Sequence, residues 1–206
     1  MRWLNSLLLF VLFYFQVHAQ SSFDRTIASN GFEEVVITLH NTFQIEITSA
    51  ETSNITYNAI SEGEYQDHLL IRSTTKENKL YLQDDVQPFS QHHNDKLSAH
   101  KVYAVKVVLQ IPSHLKVTVK SNTASLKIVG GFKNLFAEFS AGNCILEAYQ
   151  GHATINTIAG DITLSTKNAT VKAATKTGKI RSQDIYGPYK INLTSISGDI
   201  SVYKTK

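Results

Sequence analysis

One cysteine, Cys144, stands in 206 residues, so an internal disulfide is excluded. No cysteine lies near residue 20, which excludes a lipid anchor on an N-terminal cysteine. Long apolar runs are missing too: the longest, Leu7 to Phe15, falls well short of the roughly 20 residues that a spanning helix needs. No Gly-x-Ser-x-Gly nucleophile elbow occurs. The formal net charge is only +3, carried by single lysines with Asp and Glu between them, so nothing resembles a basic stripe for nucleic acid.

What is present begins with an export signal. Arg2 supplies a positive start, Leu7 to Phe15 an apolar stretch, and Val17-His18-Ala19 a small-x-small cleavage site. The expected organisation is a signal peptide at 1–19, a lead-in at 20–31 and one domain at 32–206, with no transmembrane segment after cleavage. Export without disulfides fits a bacterial periplasm or surface.

The domain is organised by a repeat. Gly142, Gly160, Gly178 and Gly198 are separated by 18, 18 and 20 residues, and 18 residues before Gly142 stands Ala124. Two and four places after each of these positions the residues are mostly apolar: Leu126 and Ile128, Cys144 and Leu146, Ile162 and Leu164, Ile180 and Ser182, Ile200 and Val202. Alternation of period two marks a strand with one buried face. A second strand per unit follows from Leu135 and Ala137, Ala153 and Ile155, Val171 and Ala173, Ile191 and Leu193. A two-strand unit buries its apolar face only by stacking on its neighbours, about 4.8 Å apart. The fold class expected is all-β: a single-stranded β-solenoid or β-helix-like stack with Gly-Asp and Gly-Asn turns. The N-terminal half repeats less strictly, either as a degenerate start of the stack or as a capping sheet. Residues 84–99 break the alternation and read as a long mobile loop.

The strand closing in Ile111-Pro112, then Leu-Lys-Val-Thr-Val, then the turns in Ile158-Ala-Gly-Asp-Ile-Thr-Leu164 and Ile196-Ser-Gly-Asp-Ile-Ser-Val202 resemble the putative adhesin domain family of bacterial exported proteins, of head-GIN type. The resemblance runs from about Phe32 to the C-terminus. It implies a β-solenoid of largely unknown function and defines no catalytic residues. The chain departs from the motif at Asn122-Thr-Ala124, where the glycine is lost, and at Thr177-Gly-Lys179, where Lys replaces Asp.

Four constellations can be weighed for chemistry. The residues after the turn positions are Ser125, Asn143, Asp161, Lys179 and Asp199. On in-order stacking Asp161 and Asp199 lie two layers apart with Lys179 between them, a salt-bridged ladder rather than a calcium site or a carboxylate dyad. Gly142, Gly160, Gly178, Gly198, Asp161 and Asp199 are therefore expected as structural turn residues. The loop residues Phe89, His92 and His93, with His100, Asp84, Asp85 and Asp95 nearby, are a candidate partner-binding loop, since adjacent histidines in a flexible segment hold a metal weakly. The outward column Lys127, Ile145, Thr163, Arg181 and Ser201 shows no carboxylate cluster of a polysaccharide-cleaving enzyme. The aromatics Phe132, Phe136, Tyr149, Tyr186, Tyr189 and Tyr203 fall where sugar rings could stack, although corner packing accounts for them equally.

No catalytic residue, metal or cofactor is expected. The leading reading is a non-enzymatic exported scaffold whose partner is an envelope or surface protein or polysaccharide. A carbohydrate-binding or carbohydrate-active β-helix protein is the alternative. A third is an envelope subunit that stacks through a terminal layer bearing Ile200 and Val202, an edge that Lys204 and Lys206 would blunt.

Overall fold

The computed structural model describes residues 21–62, 69–86 and 104–205. They form seventeen strands and, among the described residues, no helix. Strands form because the apolar residues alternate. In β10 (Asn134–Ala141) Leu135, Ala137 and Phe139 point inward while their neighbours face out, and β12 (His152–Ala159) buries Ala153, Ile155 and Thr157 in the same rhythm.

The strands make two mixed sheets. In the first the order is β1 (Ser21–Ala28), β4 (Asn54–Glu62), β7 (Ala104–Pro112), β3 (Gln44–Ala50), β9 (Ser125–Val129), β11 (Cys144–Tyr149), β13 (Ile162–Thr166), β17 (Ile200–Lys204) and β15 (Ile180–Ser182). The second runs β14 (Ala169–Thr175), β16 (Tyr189–Ser195), β12, β10, β8 (Lys116–Ser121), β2 (Glu34–Thr38), β6 (Lys79–Val86) and β5 (Leu69–Lys76). From β8 to β13 the chain alternates between the sheets and pairs in parallel at the 18-residue offset, Val117 beside Leu135 beside Ala153, and Leu126 beside Cys144 beside Ile162. The inner faces of both sheets enclose one core.

At the C-terminal end the layers do not follow chain order. β16 pairs with β12 and β17 with β13, while β14 and β15 lie outside them. Burial explains the exchange. Ile191, Leu193, Ile200 and Val202 are at most 1% exposed in the inner position, where each large aliphatic contributes about 1.5–3 kcal/mol. The outer layer offers smaller groups, Val171, Ala173 and Ser182, with Ile180 left 46% exposed. The expected terminal layer at Ile200 and Val202 is thereby corrected: those residues are core, and the open edge belongs to β14 and β15.

β2 and β3 stack in parallel against β8 and β9, with β6 and β7 beyond them, and β1, β4 and β5 close that end by antiparallel pairing. Residues 21–28, read as lead-in, form β1, which pairs with β4 from Asn54 to Ser61. β5 and β6 join through Glu77 and Asn78, both with positive φ as a tight two-residue hairpin requires. Asp84, assigned to a mobile loop from sequence, instead lies in β6, because β5 extends far enough to pair with it.

Close approach sets the glycine column. A Cβ on Gly160 would strike the Gly142 carbonyl, one on Gly198 the Gly160 carbonyl, and one on Gly178 the Gly198 carbonyl. Of these four glycines only Gly142 has a left-handed φ, +100°.

Candidate functional site

Along the glycine corner the turn residues hydrogen-bond from layer to layer. The Asp161 N–H donates to Asn143 Oδ1 at 3.0 Å, the Asp199 N–H to Asp161 Oδ1 at 2.8 Å, and the Lys179 N–H to Asp199 Oδ1 at 2.7 Å. Asp161 and Asp199 are therefore neighbours, and Lys179 sits beyond Asp199 rather than between the two carboxylates. The salt-bridged ladder expected from sequence is replaced by side-chain-to-backbone bonds, and the cation that meets Asp199 is Arg181, at 3.5 Å. Just inside, the Gly198 N–H donates to Ser195 Oγ at 2.8 Å and the Gly178 N–H to Thr175 Oγ1 at 3.1 Å, while the Thr157 hydroxyl bonds Ser195 at 3.0 Å. The turn carboxylates thus satisfy backbone donors that the bends leave unpaired.

Of the residues in and around the candidate partner-binding loop, Asp84 is the one whose side chain is described. Asp84 accepts from the His40 and Asn41 N–H groups at 3.0 and 2.6 Å, so it anchors the turn after β2. Phe89, His92, His93, Asp95 and His100 lie outside the described residues, as does the Asp85 side chain. Among the described residues no three His, Cys, Asp or Glu side chains gather. Cys144 is fully buried, and burial pushes its thiol up to about 12, which makes it a small apolar filler.

The aromatics divide in the same way. Phe132 and Tyr149 are core, 2% and 0% exposed, and the Tyr149 hydroxyl donates to the His152 carbonyl at 2.9 Å. Burial raises the Tyr149 pKa above the ordinary phenol range. Tyr186 and Tyr203 stand out in solvent, 82% and 47% exposed. Phe136 and Tyr189 are half-buried beside an open concavity.

That concavity lies at the corner opposite the turn glycines and continues onto the outer face of the second sheet. The corner cleft, of about 890 Å³, is bounded by Glu51, Lys133, His152 and Tyr189. A shallower groove of about 480 Å³ shares Asn134 and His152 with it and carries Phe136. Parallel register builds the groove from two columns: Lys116, Asn134, His152 and Lys190 in one, Thr118, Phe136, Thr154 and Asn192 in the other. His152 is fixed by its neighbours. Its Nδ1 accepts the Lys190 N–H at 3.1 Å, which leaves the proton of the neutral ring on Nε2, and the ring meets Tyr189 edge to face at 5.7 Å. Lys120 Nζ stands 5.9 Å from the Phe136 ring centre and 3.2 Å from Glu138. At the groove's far end burial acts to raise the Glu34 pKa, but hydrogen bonds from Lys79 at 2.8 Å and Thr118 at 2.7 Å, with the charges of Lys79 and Lys116, outweigh it and hold the carboxyl below its ordinary range. Sequence reasoning singled out Phe136 and Tyr189 but missed Asn134, His152 and Lys190. Their positions obey the same spacing as the glycines, so the period itself carried the signal.

Fold and groove together define a class: an all-β protein of two mixed sheets that holds surface side chains in fixed columns. No protein-family model and no curated protein matches the chain. Among solved structures it is similar to one described as a "putative cell adhesion protein" from Clostridium sporogenes, with a TM-score of 0.63 and 14% identity over 91% of this chain and 100% of that one. A second, a "putative adhesin" from Bacteroides fragilis, aligns over 91% and 99% of the two chains at 13% identity with a TM-score of 0.38. At such identity the first likeness is one of fold, and the second is too loose to add to it. Among the described residues no helix is long and apolar enough to cross a membrane.

Proposed function

We propose that this chain is an exported, non-enzymatic binding scaffold of adhesin type, an open β-solenoid that holds a partner at the cell envelope or surface. The observation that carries the reading is the pair of registered columns on the second sheet, where Asn134, His152 and Phe136 stand on adjacent layers beside an open cleft. Parallel strands about 4.8 Å apart fix those side chains without further ordering, so little conformational entropy is lost when a ligand settles on them. The fold likeness to a protein described in terms of cell adhesion points in the same direction. The N-terminal signal fits export, and it leaves periplasm, surface and medium as compartments.

A carbohydrate ligand is the second reading, and Phe136 favours it. An aromatic ring flanked by Thr118 and Thr154, with Asn134 and Asn192 beside it, offers a stacking face bordered by hydrogen-bonding groups, the arrangement a sugar ring requires. The test is retention of the protein, freed of residues 1–19, on immobilised envelope polysaccharide and on a glycan array. Retention that Phe136→Ala abolishes, with no release of reducing ends, supports a carbohydrate-binding scaffold. Release of reducing ends would overturn the non-enzymatic assignment. If neither envelope polysaccharide nor intact envelope surface retains the protein, the adhesin reading fails.

A further inference from the structure

We infer that the open C-terminal end of the stack is a docking surface for an anionic lipid bilayer, distinct from the groove on the second sheet. The outermost layer, residues 167–184, carries Lys167, Lys172, Lys176, Lys179 and Arg181 against a single acid, Asp184. These five cations are all exposed and surround the end: Lys172 on one sheet, Arg181 on the other, Lys176 and Lys179 at the glycine corner, and Lys167 at the opposite corner. Four lysines elsewhere pair with a glutamate, Lys79 with Glu34, Lys106 with Glu46, Lys120 with Glu138 and Lys127 with Glu147, at 2.8 to 3.2 Å, while Lys116, Lys133, Lys190 and Lys204 are spread singly over other strands and turns. None of the four terminal lysines takes part in the ion pairs of the described residues, and of the five cations only Arg181 does.

The centre of the same end is apolar. Ile180 is 46% exposed, Val171 and Ala173 are half-covered, and Tyr186, 82% exposed, projects from the adjoining loop. Four unpaired lysines around an exposed aliphatic patch and a tyrosine match the layered chemistry of a bilayer surface: anionic headgroups for the ammonium groups, and the interfacial zone for the tyrosine and isoleucine. Edge protection against strand pairing also uses lysines, but either sign of charge serves that purpose, and it leaves Ile180 and Tyr186 unexplained. Among the described residues the two edge strands at the opposite end, β1 and β5, carry Asp24 with Arg25, and Arg72 with Lys76, so they present no excess of acid to match. Head-to-tail stacking of copies is thus not favoured by charge.

The test is co-sedimentation of the protein without residues 1–19, whose own apolar run would insert into lipid, with vesicles of phosphatidylcholine alone and of phosphatidylcholine mixed with phosphatidylglycerol. Every described strand lies outside the removed segment. Binding to the anionic vesicles only, weakening steeply with salt and falling about a hundredfold in K172E/K176E/K179E, is the expected result, since each cation near an anionic surface contributes about 1 kcal/mol. The reversed variant keeps charge on the edge, so it should elute at the same size in gel filtration. Should that variant aggregate, the salt dependence of the unaltered protein and an approximately several-fold loss in Tyr186→Ser serve as readouts. Equal binding to neutral vesicles, binding unchanged by the three reversals, or binding to soluble anionic polysaccharide without vesicle binding each overturns the inference. Failure here leaves the groove's ligand untouched, because Phe136 and His152 lie on inner layers.

Discussion

The Asp199 backbone N–H donates to the Asp161 carboxylate across one layer, 2.8 Å from donor to acceptor, although 38 residues separate them in the chain. The bond requires β17 to lie directly on β13, and it joins a run of three such bonds from Asn143 to Lys179.

Asp161→Ala removes the acceptor and leaves the Asp199 N–H to water. A hydrogen bond to a charged group is worth about 1.5–3 kcal/mol, and this one is exposed, so a loss of about 1 kcal/mol is expected. For a domain of this size that lowers Tm by about 2–4 °C. Asp161→Asn retains Oδ1 and should melt within about 1 °C of the parent. Thermal denaturation followed by circular dichroism separates the two.

Gly160→Ala places a methyl against the Gly142 carbonyl, where two layers would have to part. A loss of about 3 kcal/mol or more is expected from this backbone collision. Gly31 provides the contrast: its φ is +89° but a Cβ there meets nothing within 4 Å. Gly31→Ala should lose only about 1 kcal/mol, the strain of the left-handed conformation alone. Urea unfolding of both variants measures the difference.

Much of this was legible in the sequence. The spacing of Gly142, Gly160 and Gly178 marked the turns, and the alternation in Leu135, Ala137 and Phe139 marked strands with one buried face. The order of layers was not legible from spacing, because 18 and 20 residues close a coil equally well whichever neighbour it meets. Side-chain bulk decides it: Ile191, Leu193, Ile200 and Val202 displace Val171, Ala173, Ile180 and Ser182 from the inner position. The groove on the second sheet escaped for a related reason. Asn134 and His152 are unremarkable singly, and become one surface only when the register sets them side by side.

The buried thiol makes stability fall at high pH. Cys144 is raised from 9.0 to about 12 in the folded protein. Below pH 9 both states hold the proton and its contribution is complete. Between pH 9 and about 12 the unfolded chain ionises first, and stability drops by about 1.4 kcal/mol per pH unit from this group. Tyr149, raised in the same direction, adds to the decline above pH 10. Cys144→Val should flatten the slope between pH 9 and 10, measured by urea unfolding across that range. In the parent, thiol reagents at pH 8 should react only after denaturant is added.

Phe136→Ala and His152→Ala alter the groove without touching the core cluster. Stability should change by less than about 1 kcal/mol, while retention on the ligand that the parent holds drops at least about tenfold. Ile145→Ala, on the outer face of the other sheet, should leave retention intact.

Registered columns on adjacent layers underlie both the groove and the basic end, and paired cysteines read that register directly. Thr163 lies beside Ser201 on β13 and β17, whereas Arg181 lies one layer further out, beside Ser201 on its other side. Under mild oxidation T163C/S201C should form an intramolecular disulfide while T163C/R181C stays reduced, as mass spectrometry of peptides from the non-reduced protein would report. Efficient closure of T163C/R181C with none in T163C/S201C would place the layers in chain order and contradict the account.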